Sequence, residues 1–336
     1  MEYKLSIHLK ANSNSNICWN GQSIYNGINS DTIHISNELI IISGKRSGRI
    51  DLHRVLYNTS STIHLQVTKT LAFYYLCTGI PFTIVEMVLE VDQLSVERET
   101  DFFQPFTNQL EQYQIMGTND LQNVFTATDN FFLTSLVYYI KGIQENDFNR
   151  LWQSFNSLYS IITPVDKEFD KLVGIRKFIE QHNAEFVRTL SHIDGDTVAD
   201  IRKLRIREYI LNNFDSLGQI DNFVNTVKRF SDVRLIQIFK DTLPYRIDHL
   251  KTCGKEVEIN NHISACMSKN LRNNVELLCF YILKYGYFIR NKYFHAEKAD
   301  PYFVLKGTAE TDEMRRMVDI FQHFLADLIR CNRLYL

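Results

Sequence analysis

The sequence has little proline and glycine and no long apolar run. Its 336 residues include 5 prolines and 13 glycines, and this scarcity favours long helices over a mainly β sandwich or a disordered chain. No apolar stretch reaches the roughly 18 to 20 residues that a membrane-spanning helix needs. The segment from Met1 to Leu5 lacks the basic and apolar regions of a signal peptide. We therefore expect a cytoplasmic protein without a membrane partner.

Motifs for metal binding and for nucleotide hydrolysis are also missing. No CxxC pair occurs, and His182 and His192 are isolated in the sequence, so no metal and no cofactor are expected. A glycine-rich phosphate loop is absent as well, which argues against a nucleotide hydrolase. The net charge of −2 means that any nucleic acid would bind to a local basic patch. Six scattered cysteines are interpreted as buried free thiols in a reducing compartment: Cys18, Cys77, Cys253, Cys266, Cys279 and Cys331.

Residues 1–100 read as an α+β module. Apolar residues alternate with polar ones from Tyr3 to Leu9, which is the period of a strand. Residues 62–78 fit either a helix or a strand; we favour a helix, because Gly79 is placed as a helix stop. Further strands are predicted at residues 32–36, 38–43, 49–55 and 82–91.

A polar linker at residues 101–120 is expected to separate this module from a mainly helical bundle at 121–336. Asp129, Asp147 and Thr163 are placed as N-caps of the first three helices of the bundle. The third would carry Pro164 in its first turn and turn Phe169, Leu172 and Val173 inward. Other helices are predicted at 197–214, 219–230, 233–243 and 270–294, and a last one after Thr311, with Asp312 and Glu313 near its positive end.

The C-terminal end of the predicted helix 270–294 holds the most specific pattern, in which Arg290 and Asn291 are followed by His295. Imidazole serves as base or acid near neutral pH, and guanidinium binds two phosphate oxygens at once. Asn291 and His295 share a helix face, whereas Arg290 lies about 140° from His295 around an ideal helix. These residue types suit RNA cleavage without metal: a base for the 2′-OH, an acid for the 5′-oxygen and a cation for the phosphorane.

This pattern resembles the RNxxxH signature of the HEPN superfamily, helical bundles that include metal-independent endoribonucleases. The resemblance covers roughly residues 125–335, with an extra helical segment around 180–260. It implies a homodimer with a composite active site, to which each chain contributes Arg290, Asn291 and His295. Lys292, Tyr293 and Lys298 would then contact RNA.

A second stretch resembles the early helix of Apea-like HEPN domains, in which a tryptophan is followed four residues later by a polar residue, usually glutamate. Trp152 and Asn156 occupy these positions here. Trp152 is expected in the core, and Asn156 as a possible support for the site that cannot act as a carboxylate. No tyrosine stands two positions after His295, so pairing with a nucleotidyltransferase antitoxin is not supported.

The expected function is an endoribonuclease that cuts single-stranded RNA or tRNA loops. By analogy with the family, it would be a toxin or effector in antiviral, abortive-infection defence, with an antitoxin or trigger protein as a possible partner. Residues 1–100 would then be a sensor or a substrate-selection module. The main alternative is a non-catalytic HEPN bundle that binds RNA or nucleotide as a regulator or scaffold. The second alternative is a plain helical interaction protein in which Arg290 and His295 have no catalytic role. The basic run 202–207 is interpreted as a solvated helix face, with an RNA contact as the alternative.

Overall fold

The structure is a computed structural model that describes residues 1–11, 16–93, 95–102, 106–127, 130–294 and 309–336. They form two units, one of Met1–Asp166 with Leu325–Leu336 and one of Lys167–Phe324. An α+β arrangement followed by a mostly helical region is observed, as expected. Residues 101–120 fall inside the first unit, and the division into a module, a linker and a bundle stays a prediction.

The first unit contains a six-stranded antiparallel sheet in the order β2-β3-β4-β1-β5-β6. The central strand β1 pairs Leu5 with Ile42 of β4 and with Leu89 of β5. Its alternating residues from Tyr3 to Leu9 point into the core, as their period predicts. The strands are β1 Glu2–Ala11, β2 Trp19–Tyr25, β3 Asn29–Ile35, β4 Leu39–Lys45, β5 Phe82–Val91 and β6 Ser95–Glu99.

Two strands and one helix of this unit differ from the prediction. Strands β2 and β6 were not predicted, although Asn26 and Gly27, both at positive φ, mark the turn from β2 to β3. The predicted strand at 49–55 is wrong, because helix α1 (Leu52–Tyr57) begins there. The Asp51 carboxylate accepts a hydrogen bond from the Arg54 N–H and caps this helix.

Helix α2 (Thr62–Thr78) confirms the helical reading of the ambiguous segment. It ends at Gly79 with φ of 69°, in the left-handed region that favours glycine. A side chain there would also meet Ile115 at 2.6 Å. The helix is buried from Phe73 to Leu76, which is why its sequence lacks a clear polar face.

The remaining helices of the first unit are α3 Thr118–Leu121, α4 Asn123–Thr126, α5 Phe131–Glu145 and α6 Phe148–Ile162. Asp147 caps α6 by accepting from the Asn149 N–H at 2.7 Å, as predicted. Trp152 is only 2% exposed and belongs to the core, also as predicted. Asp129 lies outside the described residues.

The predicted cap at Thr163 is wrong. Thr163 ends α6, and the next helix, α7 (Glu168–Gln181), begins after Lys167. Its buried face is formed by Ile175, Phe178 and Ile179, whereas Phe169 is 68% exposed. The helix therefore starts one turn later than the Thr-Pro pair suggested and presents a different face to the core.

The second unit is built from helices. Its helices are α7, α8 Val187–Asp194, α9 Val198–Arg202, α10 Ile206–Asn213, α11 Ile220–Lys228, α12 Val233–Thr242, α13 Ile247–Thr252, α14 Glu256–Lys269, α15 Asn274–Cys279, α16 Tyr287–Phe294 and α17 Ala309–Arg330, of which the residues from Leu325 onward belong to the first unit. The predicted helix 197–214 is two helices, α9 and α10, separated near Lys203, and Pro244 follows α12 as expected. A π-helical segment, Phe280–Gly286, joins α15 to α16, so the predicted helix at 270–294 is present but changes its winding midway.

Gly286 ends the π-helical segment and is needed for close packing. A Cβ atom there would lie 2.8 Å from the Phe321 ring and 3.0 Å from the Tyr281 carbonyl oxygen. We expect Gly286→Ala to lower the free energy of unfolding by roughly 1–2 kcal/mol in urea denaturation, since overpacking outweighs the better helix propensity of alanine. Gly195→Ala is the control: its Cβ would meet nothing within 4 Å. An equal loss in both variants would contradict this packing argument.

Among the described helices, none combines the length and apolar character that crossing a membrane requires. The expectation that the cysteines are buried holds for only part of them. Cys266, Cys279 and Cys331 are buried, but Cys18 and Cys253 are exposed, because they lie outside the packed faces of the helices and the sheet.

Candidate functional site

Arg290 and Asn291 lie on α16, and their side chains contact each other. The Arg290 Nη1 donates to the Asn291 Oδ1 at 2.8 Å, and the guanidinium carbon lies 5.9 Å from the centre of the Tyr287 ring. The side chains of these two neighbouring residues are thereby held together. His295 and Lys298 lie outside the described residues, so the convergence of Arg290 and His295 stays a prediction.

The π-helical segment before α16 is anchored by two tyrosines that donate to buried carboxylates. The Tyr281 hydroxyl donates to the Asp196 Oδ2 at 2.7 Å, and the Tyr285 hydroxyl donates to Glu313. Burial, and then the neighbouring carboxylate, raises the pKa of each phenol above its ordinary value. Both tyrosines thus remain protonated donors at neutral pH, which holds this segment against its neighbours.

Helix α17 supplies one anchoring carboxylate, Glu313, and contacts the other, Asp196, through Arg316. Glu313 accepts from Tyr285, and Arg316, three residues later on the same helix, pairs with Asp196. Because residues three apart on a helix lie on one face, a single face of α17 reaches both carboxylate clusters. The helix that carries Arg290 is thereby tied to α17 through buried polar groups.

Arg205 connects this network to the motif. Its Nη2 lies 2.6 Å from a Glu313 carboxylate oxygen and donates to the Tyr293 hydroxyl at 3.3 Å. Its side chain is only 16% exposed, so the reading of the basic run as a solvated face is wrong at this residue. Burial raises the pKa of Tyr293, against the opposing charge of Arg205. Tyr293 is therefore held by protein contacts, and its use in RNA binding stays a prediction.

Other cations of the basic run are also paired. Arg202 binds Asp241 at 2.5 Å, and Lys203 binds Asp200 at 2.8 Å, both at exposed positions. Such pairs already neutralise part of the positive charge that the sequence offered to RNA. Solvated ion pairs of this kind contribute about 0–1 kcal/mol each to stability.

The remaining predicted site residues are placed as follows. Lys292 is half-buried, with its ammonium 6.0 Å from the centre of the Phe288 ring. Asn156 lies on α6 in the first unit, and its amide oxygen is buried with no hydrogen-bond partner among the described residues. An unsatisfied buried acceptor is rare. The supporting role of Asn156 stays a prediction.

A cluster of two histidines and an aspartate was missed. His192 and His323 stack at 4.0 Å, and the His192 Nε2 lies 2.9 Å from the Asp319 Oδ2. Their ligand atoms are close enough to consider a metal ion. However, the Arg316 Nη1 lies 3.3 Å from the same His192 nitrogen, and its positive charge opposes a bound cation. We interpret the cluster as an ion-pair network; the four-residue spacing from Asp319 to His323 is the signal that could have revealed it.

Comparisons of this chain with protein-family models, with curated proteins and with solved structures find no match.

Proposed function

We propose that this protein is a metal-independent endoribonuclease of the HEPN type. The observation that carries the proposal is the hydrogen-bonded pair of Arg290 and Asn291 on α16, with His295 four residues after Asn291 in the sequence. The buried network around Tyr285 and Glu313 supports it, because catalytic groups act best on a rigid element.

In the proposed reaction, the His295 imidazole either takes the proton of the ribose 2′-OH as a base or gives a proton to the leaving 5′-oxygen as an acid. Arg290 stabilises the charge on the phosphorane. Asn291 positions the substrate or His295, and its amide oxygen also accepts from the Arg290 guanidinium. Lys292, Tyr293 and Lys298 would contact the RNA. One chain supplies one histidine and one arginine, so the proposed active form is a homodimer with a composite site. The products would be a 2′,3′-cyclic phosphate and a 5′-OH.

The proposed setting is antiviral, abortive-infection defence in the cytoplasm. There the protein would be a toxin or effector acting on single-stranded RNA or tRNA loops, controlled by a trigger protein or an antitoxin. This step rests on analogy with the HEPN family. The α+β part of the chain, with its sheet of antiparallel strands, would serve as the sensor.

Cleavage of total tRNA and mRNA in EDTA tests the proposal. Wild-type protein is expected to yield cyclic-phosphate ends, and Arg290→Ala and His295→Ala to cleave at least about a hundredfold more slowly, because each removes a group that acts in the transition state. Arg315→Ala is the control, since Arg315 is an exposed arginine that pairs with the exposed Asp312.

Three outcomes are informative. Equal cleavage by wild type and both motif variants would remove Arg290 and His295 from the mechanism. Tight RNA binding by wild type without cleavage would favour a non-catalytic bundle that acts as a regulator or scaffold. A protein that is monomeric at all concentrations yet cleaves at full rate would overturn the composite site.

A further inference from the structure

A cavity of about 380 Å³ opens within the second unit. Its walls come from α7, α10, α11 and the stretch from Cys279 to Tyr287, which contains the π-helical segment. The volume lies within the range of about 300–1,000 Å³ that is typical of small-molecule sites. Of the predicted RNA site, the described residues Arg290, Asn291, Lys292 and Tyr293 do not line it.

Three basic side chains line the cavity: Arg176, Arg229 and Lys284. Arg176 pairs with Glu180 at 2.6 Å, whereas the structure shows no carboxylate paired with Lys284 or Arg229 in the part of the chain that it describes. Burial, and then the charges of Arg229 and Arg176, lowers the pKa of Lys284 to about 8. Because partial burial and two nearby guanidinium groups disfavour this ammonium, an anion bound in the cavity would stabilise its charged form.

The helix α11 presents a polar stripe to the cavity. Asn222, Asn225 and Arg229 line it, at spacings of three and four residues that place them on one helix face. A carboxylamide both donates and accepts hydrogen bonds, so two of them can recognise the edge of a base. Glu168 also approaches the lining, because it accepts from the Tyr287 hydroxyl at 3.3 Å.

Another part of the lining is apolar and includes residues that the sequence had assigned to the core. Phe169, Leu172 and Val173 line the cavity, and the Phe169 side chain is 68% exposed. An exposed aromatic ring beside a basic cavity is suited to stacking on a flat, anionic ligand. The apolar stripe of α7 that does not reach the core therefore has a use at this cavity.

We propose that this cavity binds a nucleoside phosphate. The phosphate would lie against Lys284, Arg229 and Arg176. The base would stack on Phe169 and hydrogen-bond to the amides of Asn222 and Asn225. This ligand matches the cavity in charge, in size and in its combination of a flat apolar face with polar edges. The site is independent of the proposed RNA cleavage, although it shares the π-helical segment that leads to α16.

Calorimetric titration of the full-length protein tests the proposal in the absence of RNA. The probes are the four nucleoside 5′-monophosphates, the corresponding nucleosides and inorganic phosphate. At least one monophosphate is expected to bind more tightly than its nucleoside and than phosphate alone. Lys284→Gln and Arg229→Gln are each expected to weaken this binding at least tenfold, and Lys269→Gln, which changes an exposed lysine at the end of α14, to leave it unchanged.

Other results would overturn the site. The site is refuted if no monophosphate binds, or if single-stranded RNA binds and monophosphates do not. It is also refuted if wild type and both cavity variants bind monophosphates equally, or if inorganic phosphate binds as tightly as the monophosphates. Arg229 is exposed, so its variant should fold even if the Lys284 variant does not. Binding is measured without cleavage; a failure of the proposed nuclease activity therefore remains a separate result.

Discussion

Glu313→Ala is expected to lower the free energy of unfolding by about 3–5 kcal/mol, the usual cost of removing one partner from a buried ion pair. The Glu313 side chain is fully buried. It accepts from the Arg205 N–H at 2.8 Å, from the Arg205 Nε at 2.6 Å and from the Tyr285 hydroxyl. Burial is the largest influence on the pKa of Arg205 and would lower it, but the charge and hydrogen bond of Glu313, together with Tyr293 and Tyr285, raise this pKa above its ordinary value. Without Glu313, a largely buried guanidinium loses its closest counter-charge.

Glu310→Ala is the matched control for Glu313. Glu310 lies on the same helix and pairs with the same Arg205 at 3.1 Å, but its side chain is 39% exposed. Its loss should cost less than about 1 kcal/mol. Urea denaturation of both variants checks the difference. The double variant Arg205→Met/Glu313→Met should lose less stability than Arg205→Met and Glu313→Met lose in sum, because the double variant leaves no buried charge alone. Similar losses for Glu310→Ala and Glu313→Ala would refute the importance of burial here.

Asp232→Ala should also cost about 3–5 kcal/mol, for a different combination of reasons. The buried carboxylate caps α12 by accepting from the Arg234 N–H at 2.9 Å and the Leu235 N–H at 3.3 Å. It also accepts from the Asn273 N–H at 2.6 Å and pairs with the Arg234 guanidinium at 2.7 Å. Removing it leaves several buried donors and one buried charge without their acceptor.

Asn273→Ala removes a helix cap without removing an ion pair, so it measures the cost of losing a cap alone. The Asn273 side chain caps α15 by accepting from the Val275 and Glu276 N–H groups, and no ion pair depends on it. Its loss should cost about 1 kcal/mol. Asp232→Asn, which keeps a capping oxygen but removes the charge, should fall between the two. Guanidinium denaturation of the three variants would settle the order, and an Asp232→Ala loss no larger than that of Asn273→Ala would rule out a large contribution from the ion pair.

The π-helical segment connects these predictions to the proposed activity. Tyr281 and Tyr285 fix it to Asp196 and Glu313, and Lys284 of the same segment lines the cavity. Segments of π-helix occur often at functional sites, since the extra residue per turn changes which side chains share a face. Here it brings two tyrosines to buried carboxylates and leaves Lys284 at the cavity.

Much of the secondary structure could be predicted because its signals are local. The alternation from Tyr3 to Leu9, the Gly79 stop of α2 and the Asp147 cap of α6 each depend on a few neighbouring residues. The errors arise where one local signal allows two different structures. Thr163 and Pro164 are a plausible helix start by sequence, but the structure uses Thr163 to end α6. Equally acceptable local signals can be decided either way by the packing around them.

The candidate site could be predicted only in part. The sequence pattern identified Arg290 and Asn291, which are neighbours in the chain. The structure shows a hydrogen bond between their side chains. The contact between Arg205 and Tyr293 could not be found in this way, because it joins residues 88 positions apart. Similarly, Glu313 looked like an ordinary acid at a helix start, and its burial became visible only when α17 was packed.

The sequence by itself determined the periods of the strands and helices, several of their ends and the motif that motivates the proposed chemistry, since these features depend on residues within a few positions of one another. Only the tertiary structure decided which charged side chains are buried, paired or directed to a cavity. Glu313 and Asp232 became buried partners, and Lys284 became part of a basic cavity. The reason is physical: the free energy of a charge depends on the solvent and the counter-charges around it, and distant segments of the chain bring these together.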